Sequence, residues 1–305
     1  MRYEQILNCL CNQPLLADPS KINSVLGAIG GKLGISGLSV DGEVRAIPRA
    51  LMPGPRADLI DLDDEDDEPL DADSQHKLYP IDRNVAVIRI VGTLANRGAY
   101  IGASSGVVTY EGLHMQLAQA ERDRDAKGVL LDFDTGGGEA AGCESLVHRI
   151  GRLAAKKPVW AALGDDALSA GYWLASAAGV ITVPKLGGVG SIGCWSLHVD
   201  FSRALDAEGI TPTLIQAGRK KTLGHPFKSL KEQEGAQAYI QKVVDECRQT
   251  FAESVAHYRG LSLKKVMDTE AGVMTGAEAV AAGFADEIAD RHQALNALAK
   301  KVAVL

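Results

Sequence analysis

Apolar residues along this chain fall into two kinds of run. Short unbroken ones, Val85–Val91, Val129–Phe133 and Val159–Leu163, predict strands buried on both faces. Between them Leu113, Leu117 and Ala120 recur at helical spacing within 110–125, and a further helix is expected from about Glu139 to Ala155. The alternation continues with a strand over 180–183, a glycine turn over 187–193, a strand over 194–200, a helix over 201–208 and a strand over 212–216. A long helix, roughly Leu230 to Tyr258, carries Tyr239, Val243, Cys247, Phe251 and Val255 on one stripe, and the segment 275–288 supplies closing pieces. Strands alternating with helices at this spacing predict the α/β class with a mostly parallel, layered sheet.

Upstream the pattern weakens. Residues 1–52 are modestly amphipathic and interrupted by glycines, which predicts a small helical appendage. Residues 53–77 hold ten carboxylates between Asp58 and Asp73 and almost nothing apolar, the composition of a disordered linker. Asp63 to Glu68 lacks the glycine and terminal spacing of a calcium loop, so no metal is expected there. The compact domain is expected over 78–305, with no internal repeat.

Composition narrows the classes. The chain has 305 residues, 46% of them hydrophobic, with 33 glycines and 5% aromatics, so its core is built from small and aliphatic side chains. A formal net charge of -7 gives no footprint for nucleic acid. Cys9, Cys11, Cys143, Cys194 and Cys247 show no metal or redox spacing and read as free thiols of a reducing compartment. Glu4 interrupts what would be the apolar part of a secretory signal. The uncharged run 167–184 switches from helix to strand and contains Gly171, Gly179 and Pro184, so it is not expected to span a membrane. A soluble, cytoplasmic protein follows.

The candidate chemistry centres on Ser169. The run Val159–Leu163 ends in a polar turn, Gly164-Asp165-Asp166, and a small-residue helix follows over 168–178, placing Ser169 where unpaired backbone N–H groups and the positive end of the helix dipole lie. Such a serine is either an N-cap or a nucleophile. A second glycine-rich turn, Gly136-Gly137-Gly138, lets backbone approach a substrate closely, so the N–H groups of Gly137 and Ala170 could form an oxyanion hole. The alternatives for that turn are a plain tight turn or a phosphate cradle, and its spacing fits neither phosphate-loop fingerprint.

A serine nucleophile needs a base. His198, His225, His257 and His292 follow Ser169, none in a distinctive motif. The other option is a lysine from the glycine- and proline-marked loop 215–226, which holds Arg219, Lys220 and Lys221 and no carboxylate. A lysine base must have its pKa depressed by roughly 3 units, about 4 kcal/mol, and burial with neighbouring positive charge acts in that direction. A solvated basic loop is the competing reading.

Ala167-Leu168-Ser169-Ala170-Gly171-Tyr172, Gly190-Ser191-Ile192-Gly193 and the Gly-x-x-Lys loop ending at Lys221 resemble, in that order, the serine-lysine peptidases of the signal peptide peptidase A family, S49. The resemblance covers about 85–290. Asn12-Gln13-Pro14-Leu15-Leu16, Lys32–Ser36, Leu131–Gly137 and Asp268-Thr269-Glu270-Ala271 are similar to its phage branch, the capsid assembly or prohead proteases. It implies a ClpP/crotonase-like spiral fold, Ser169 as nucleophile, Lys221 as general base, Ser191 as the serine that hydrogen-bonds the lysine, and Gly137 and Ala170 as the oxyanion hole. It further implies a ring-shaped homo-oligomer in which a neighbour can supply the lysine, no cofactor, no membrane or nucleic-acid partner, and phage scaffold, portal and capsid proteins and the protease itself as substrates, cut after small residues in the host cytoplasm or procapsid. The family's Ser-Pro-Gly-Gly turn reads Asp134-Thr135-Gly136-Gly137 here, and the scaffold-like extension of phage relatives is expected to be separate or missing. Rival readings are a membrane-anchored signal peptide peptidase, an acyl-CoA enzyme of the crotonase kind and a non-catalytic assembly factor. An α/β-hydrolase fails on the first glycine of its motif.

Overall fold

The computed structural model describes residues 77–97 and 106–304, together with three short strands nearer the N-terminus: β1 (Leu15–Ala17), β2 (Gly37–Val40) and β3 (Glu43–Ala46). β2 and β3 pair antiparallel. Asp41-Gly42 between them is a dipeptide favoured in two-residue hairpins. The helical appendage expected over 1–52 is thus strand wherever it is described. The rest of that segment, and 53–76 of the acidic linker, lie outside the described residues.

The chain then runs β4 (Ile81–Asp82), β5 (Val85–Val91), β6 (Thr93–Ala95), β7 (Val107–Thr109), α1 (Tyr110–Arg122), β8 (Gly128–Thr135), β9 (Gly137–Glu139), α2 (Cys143–Ala154), β10 (Val159–Leu168), α3 (Ala170–Ser176), β11 (Val180–Val183) and β12 (Gly188–Gly190). Beyond an irregular stretch follow α4 (Ser202–Ala207), α5 (Ala236–Arg259), α6 (Leu263–Met267), β13 (Val273–Thr275), α7 (Gly276–Ala282), β14 (Glu287–Ile288) and α8 (Arg291–Val302). The main sheet has the order β13-β12-β10-β8-β5-β4, with β11 beside β10 and β14 beside β11. Its inner ladders are parallel; β4–β5 and β12–β13 at its ends are antiparallel. A smaller sheet has the order β1-β9-β6-β7. The architecture is the mostly parallel α/β sheet expected.

Strand alternation sends side chains into two cores. Val85, Leu130, Trp160 and Ala162 pack with Ala294, Leu298 and Val302 of α8. Ala86, Ile88, Ile90, Val129, Leu131, Phe133, Ala161 and Leu163 belong to the larger core shared with α1, α2 and α3. Each large aliphatic so buried contributes about 1.5–3 kcal/mol. Helix starts are written locally: Thr109 accepts the Gly112 N–H at 3.1 Å ahead of α1, and Thr275 with Glu278 and Asp290 with Gln293 form reciprocal capping boxes on α7 and α8.

The strands expected over 194–200 and 212–216 do not form. A strand needs a partner edge, and the free edge of β12 is taken by β13 instead. Much of 194–235 lies at the surface, with Ile215 93% exposed. The long helix begins at Ala236, after a 3-10 turn at Leu230–Glu232. Its stripe is buried at Phe251 and Val255 but not at Tyr239, so the first half of α5 stands away from the core.

Candidate active site

β8, β10 and β12 run in parallel and end side by side, with Thr135 opposite Ala167 and Leu168 opposite Gly190. The residues just beyond those pairs are Gly137, Ser169 and Ser191. Open parallel sheets bind ligands at the carboxyl ends of their strands.

β10 reaches this corner through an irregularity. Gly164-Asp165-Asp166, expected as a turn, continues the strand as a bulge: pairing with β8 passes from Leu163↔Phe133 to Ala167↔Thr135, so β10 spends more residues than its neighbour. A bulge re-aims a strand. Here β10 passes from β11, its partner over Trp160–Ala162, to β12, its partner over Asp166–Leu168. A Cβ at Gly164 would sit 2.8 Å from the Phe133 carbonyl oxygen, so the close approach requires glycine.

Ser169 has φ 54° and ψ −121°, the first central position of a type II′ turn, where glycine is the usual residue. A non-glycine held there stores about 1–3 kcal/mol. Two backbone bonds fix it: the Ser169 N–H donates to Gly190 O at 2.8 Å, and Ser169 O accepts the Trp173 N–H at 2.9 Å. The side chain forms no cap bond, and the residue is 2% exposed. Its hydroxyl is therefore not used as an N-cap. Ser191 also has a positive φ, 54°, and its N–H donates to Gly272 O at 3.0 Å.

Behind Ser169 the wall is apolar and tightly held. Tyr172 donates through its hydroxyl to Phe284 O at 2.8 Å, and Trp173 stacks on Phe251 with centroids 4.8 Å apart. Burial pushes the Tyr172 phenol and the Cys143 thiol well above their ordinary values, so both stay neutral.

The two expected oxyanion donors differ. Ala170 is the first residue of α3, so its N–H has no acceptor within the helix. The Gly137 N–H, at φ 100°, donates to Thr135 Oγ1 at 3.0 Å, and that hydroxyl donates onward to Gly92 O at 2.5 Å. Thr135 was not singled out as a site residue. Its signal is the threonine standing where the resembled family has proline, at the end of β8. Its methyl also meets α3, because a Cβ on Gly171 would lie 2.3 Å from Thr135 Cγ2.

Lys221 lies on an exposed turn, its N–H donating to Gly218 O at 3.0 Å. Among the described residues its ammonium makes no hydrogen bond or ion pair, so the structure brings together Ser169, Ala170, Ser191 and Gly137 but does not bond Lys221 to them. The histidines are engaged no better: the His225 ring accepts the Phe227 N–H, His257 packs edge-on against Tyr258, and neither His198 nor His292 is bonded to Ser169. Among the described residues no His, Cys, Asp and Glu cluster could hold a metal, and no helix is long and apolar enough to cross a membrane.

A strained, buried serine thus stands at the carboxyl ends of parallel strands in an α/β sheet. Residues 151–305 match the model of peptidase family S49, and the chain belongs to that family. It is 36% identical over 289 residues to capsid assembly protease C of Escherichia phage lambda, covering 94% of this chain and 63% of that protein. It is 34% identical over 294 residues to the head-tail preconnector protein GP5 of Enterobacteria phage P21, covering 96% and 56%. The chain thus spans about three fifths of the length of these curated relatives. Among solved structures, a mutant of the 1510-N membrane-bound stomatin-specific protease aligns with a TM-score of 0.41 and 19% identity, over 70% of this chain and 83% of that one.

Proposed function

We propose that the chain is a serine endopeptidase in which Ser169 attacks the peptide carbonyl and Lys221 takes its proton. The observation that carries this is the backbone of Ser169: a strained serine, buried among apolar groups with its hydroxyl uncommitted, is what a nucleophile needs and a structural cap does not. Ala170 N–H and Gly137 N–H receive the oxyanion, the latter once Thr135 rotates its hydroxyl away. Ser191 orients the lysine ammonium. Lys221 then protonates the leaving amine, and water releases the acyl-enzyme, with no metal or cofactor. The exposure of 194–235 favours a ring in which this segment packs on a neighbour and delivers Lys221 in trans. A ClpP/crotonase-like spiral is supported by two successive steps from main-sheet strand to small-sheet strand to helix, β5-β6-β7-α1 and β8-β9-α2. The names of the phage relatives favour head maturation in the host cytoplasm or procapsid, with scaffold, portal and capsid proteins and the protease itself as substrates.

The test is co-expression with neighbouring scaffold and portal proteins, read by intact mass. Ser169→Ala and Lys221→Ala should each abolish the same cleavages, lowering the rate by at least about 1,000-fold. Mixing the two inactive variants should restore part of the activity where the lysine acts in trans. Processing that survives Lys221→Ala removes that base, and processing that survives both removes the peptidase reading.

A further inference from the structure

Asn12-Gln13-Pro14-Leu15-Leu16 plays no part in the chemistry above, yet it runs directly into β1, and β1 lies along β9. β9 has two edges. One is taken by β6, with Leu94 opposite Gly138. Along the other, antiparallel, lies β1: Leu15 opposite Glu139, Leu16 opposite Gly138 and Ala17 opposite Gly137. The direction of that pairing decides its meaning, because it brings the C-terminal end of the tripeptide to the glycine that begins β9. Gly137 is two residues beyond Thr135, Thr135 pairs with Ala167, and Ser169 is two residues beyond Ala167. The Ala17 backbone therefore meets the corner where the glycine turn and the serine turn converge.

A peptide that adds a strand to a sheet edge gains affinity from main-chain hydrogen bonds and specificity from its side chains. We infer that Leu15–Ala17 is a built-in occupant of the substrate strand: an extended aliphatic, aliphatic, small tripeptide that holds the acyl side of the site until a substrate peptide of the same kind displaces it. This rests on the peptidase reading of Ser169. The occupant is short by sequence, since Pro14 and Pro19 flank it and neither can donate to a ladder. It is also tethered. A tethered segment competes at an effective concentration in the millimolar range, so a free peptide at micromolar concentration competes poorly with it. The same register marks the preferred substrate, with its small residue opposite Gly137.

The test measures binding apart from turnover. A fluorescent peptide ending in Leu-Leu-Ala is titrated against full-length Ser169→Ala and against Ser169→Ala/Leu16→Pro, with hydrogen exchange of the β9 amides followed in both. The expected result is at least roughly ten-fold tighter binding to the double variant. In that variant the β9 amides that face β1 should lose protection without peptide and regain it on binding. Leu16→Asp serves as a second variant where proline disturbs folding. Equal affinity for all variants, or unchanged exchange, overturns the inference. Hydrolysis by the wild-type chain is scored separately, on a longer peptide that continues past Leu-Leu-Ala so that a peptide bond follows its small residue. Hydrolysis without the affinity contrast leaves the peptidase reading standing and removes the built-in strand; the contrast without hydrolysis supports an occupied edge and removes the peptidase reading.

Discussion

Ser169 holds a conformation that glycine would adopt freely, so its side chain is retained at the expense of stability. Ser169→Gly should unfold at higher urea than Ser169→Ala, by about 1 kcal/mol, because glycine relieves the positive φ that alanine must still carry. Equal midpoints would mean the turn is not strained. The strand and the helix on either side of Ser169 were legible in the sequence, because an unbroken apolar run precedes it and a run of small residues follows. Thr135 was not, because what it does depends on Gly92, a carbonyl far away in sequence that only the fold brings within reach of its hydroxyl. Lys221 shows the opposite limit. The basic character of its loop was readable, yet its ammonium makes no hydrogen bond or ion pair among the described residues, a matter of tertiary placement that residue types alone do not carry.

At the level of elements, β5 was read to its ends and β8 to within two residues, because unbroken Val, Leu and Ile runs have few other homes, whereas β10 was read only over its first half. The bulge in β10 escaped because Gly164-Asp165-Asp166 has the composition of a turn, and only the ladders to β8 and β12 make it strand. Helix α8 closes the second face of the sheet almost alone, through Leu298 against Val85, Leu130 and Trp160. Leu298→Ala should therefore destabilise by about 2–5 kcal/mol, read as a fall in the thermal midpoint with the sheet's circular dichroism retained below it. A smaller effect would show that α8 slides to fill the gap. The expected strands at 194–200 and 212–216 failed for want of a partner edge, and the segment they would have stiffened is exposed. Within residues 106–304, brief trypsin treatment should cut first at Arg219, Lys220 or Lys221 while 236–304 stays associated with the rest, as seen on native gels followed by mass spectrometry. First cuts within α1 or α2 would contradict this.

Across the whole molecule, class and layering followed from the alternation of runs and amphipathic stretches, whereas the ends did not. Near the N-terminus the described residues are the strands β1, β2 and β3, and the remainder of the segment expected as a helical appendage lies outside the described residues. The molecule also ties its site together from far-apart pieces. The Ser169 N–H is fixed by Gly190, Gly190 lies opposite Val273, and the Ser191 N–H is fixed by Gly272. A ribosome releases the chain from its N-terminus, so Ser169 emerges long before the residues that lock its turn. The growing polypeptide carries the serine before the strand that bonds its turn, and the pairing that backs that strand is complete only once the segment around Gly272 has been made and has folded back.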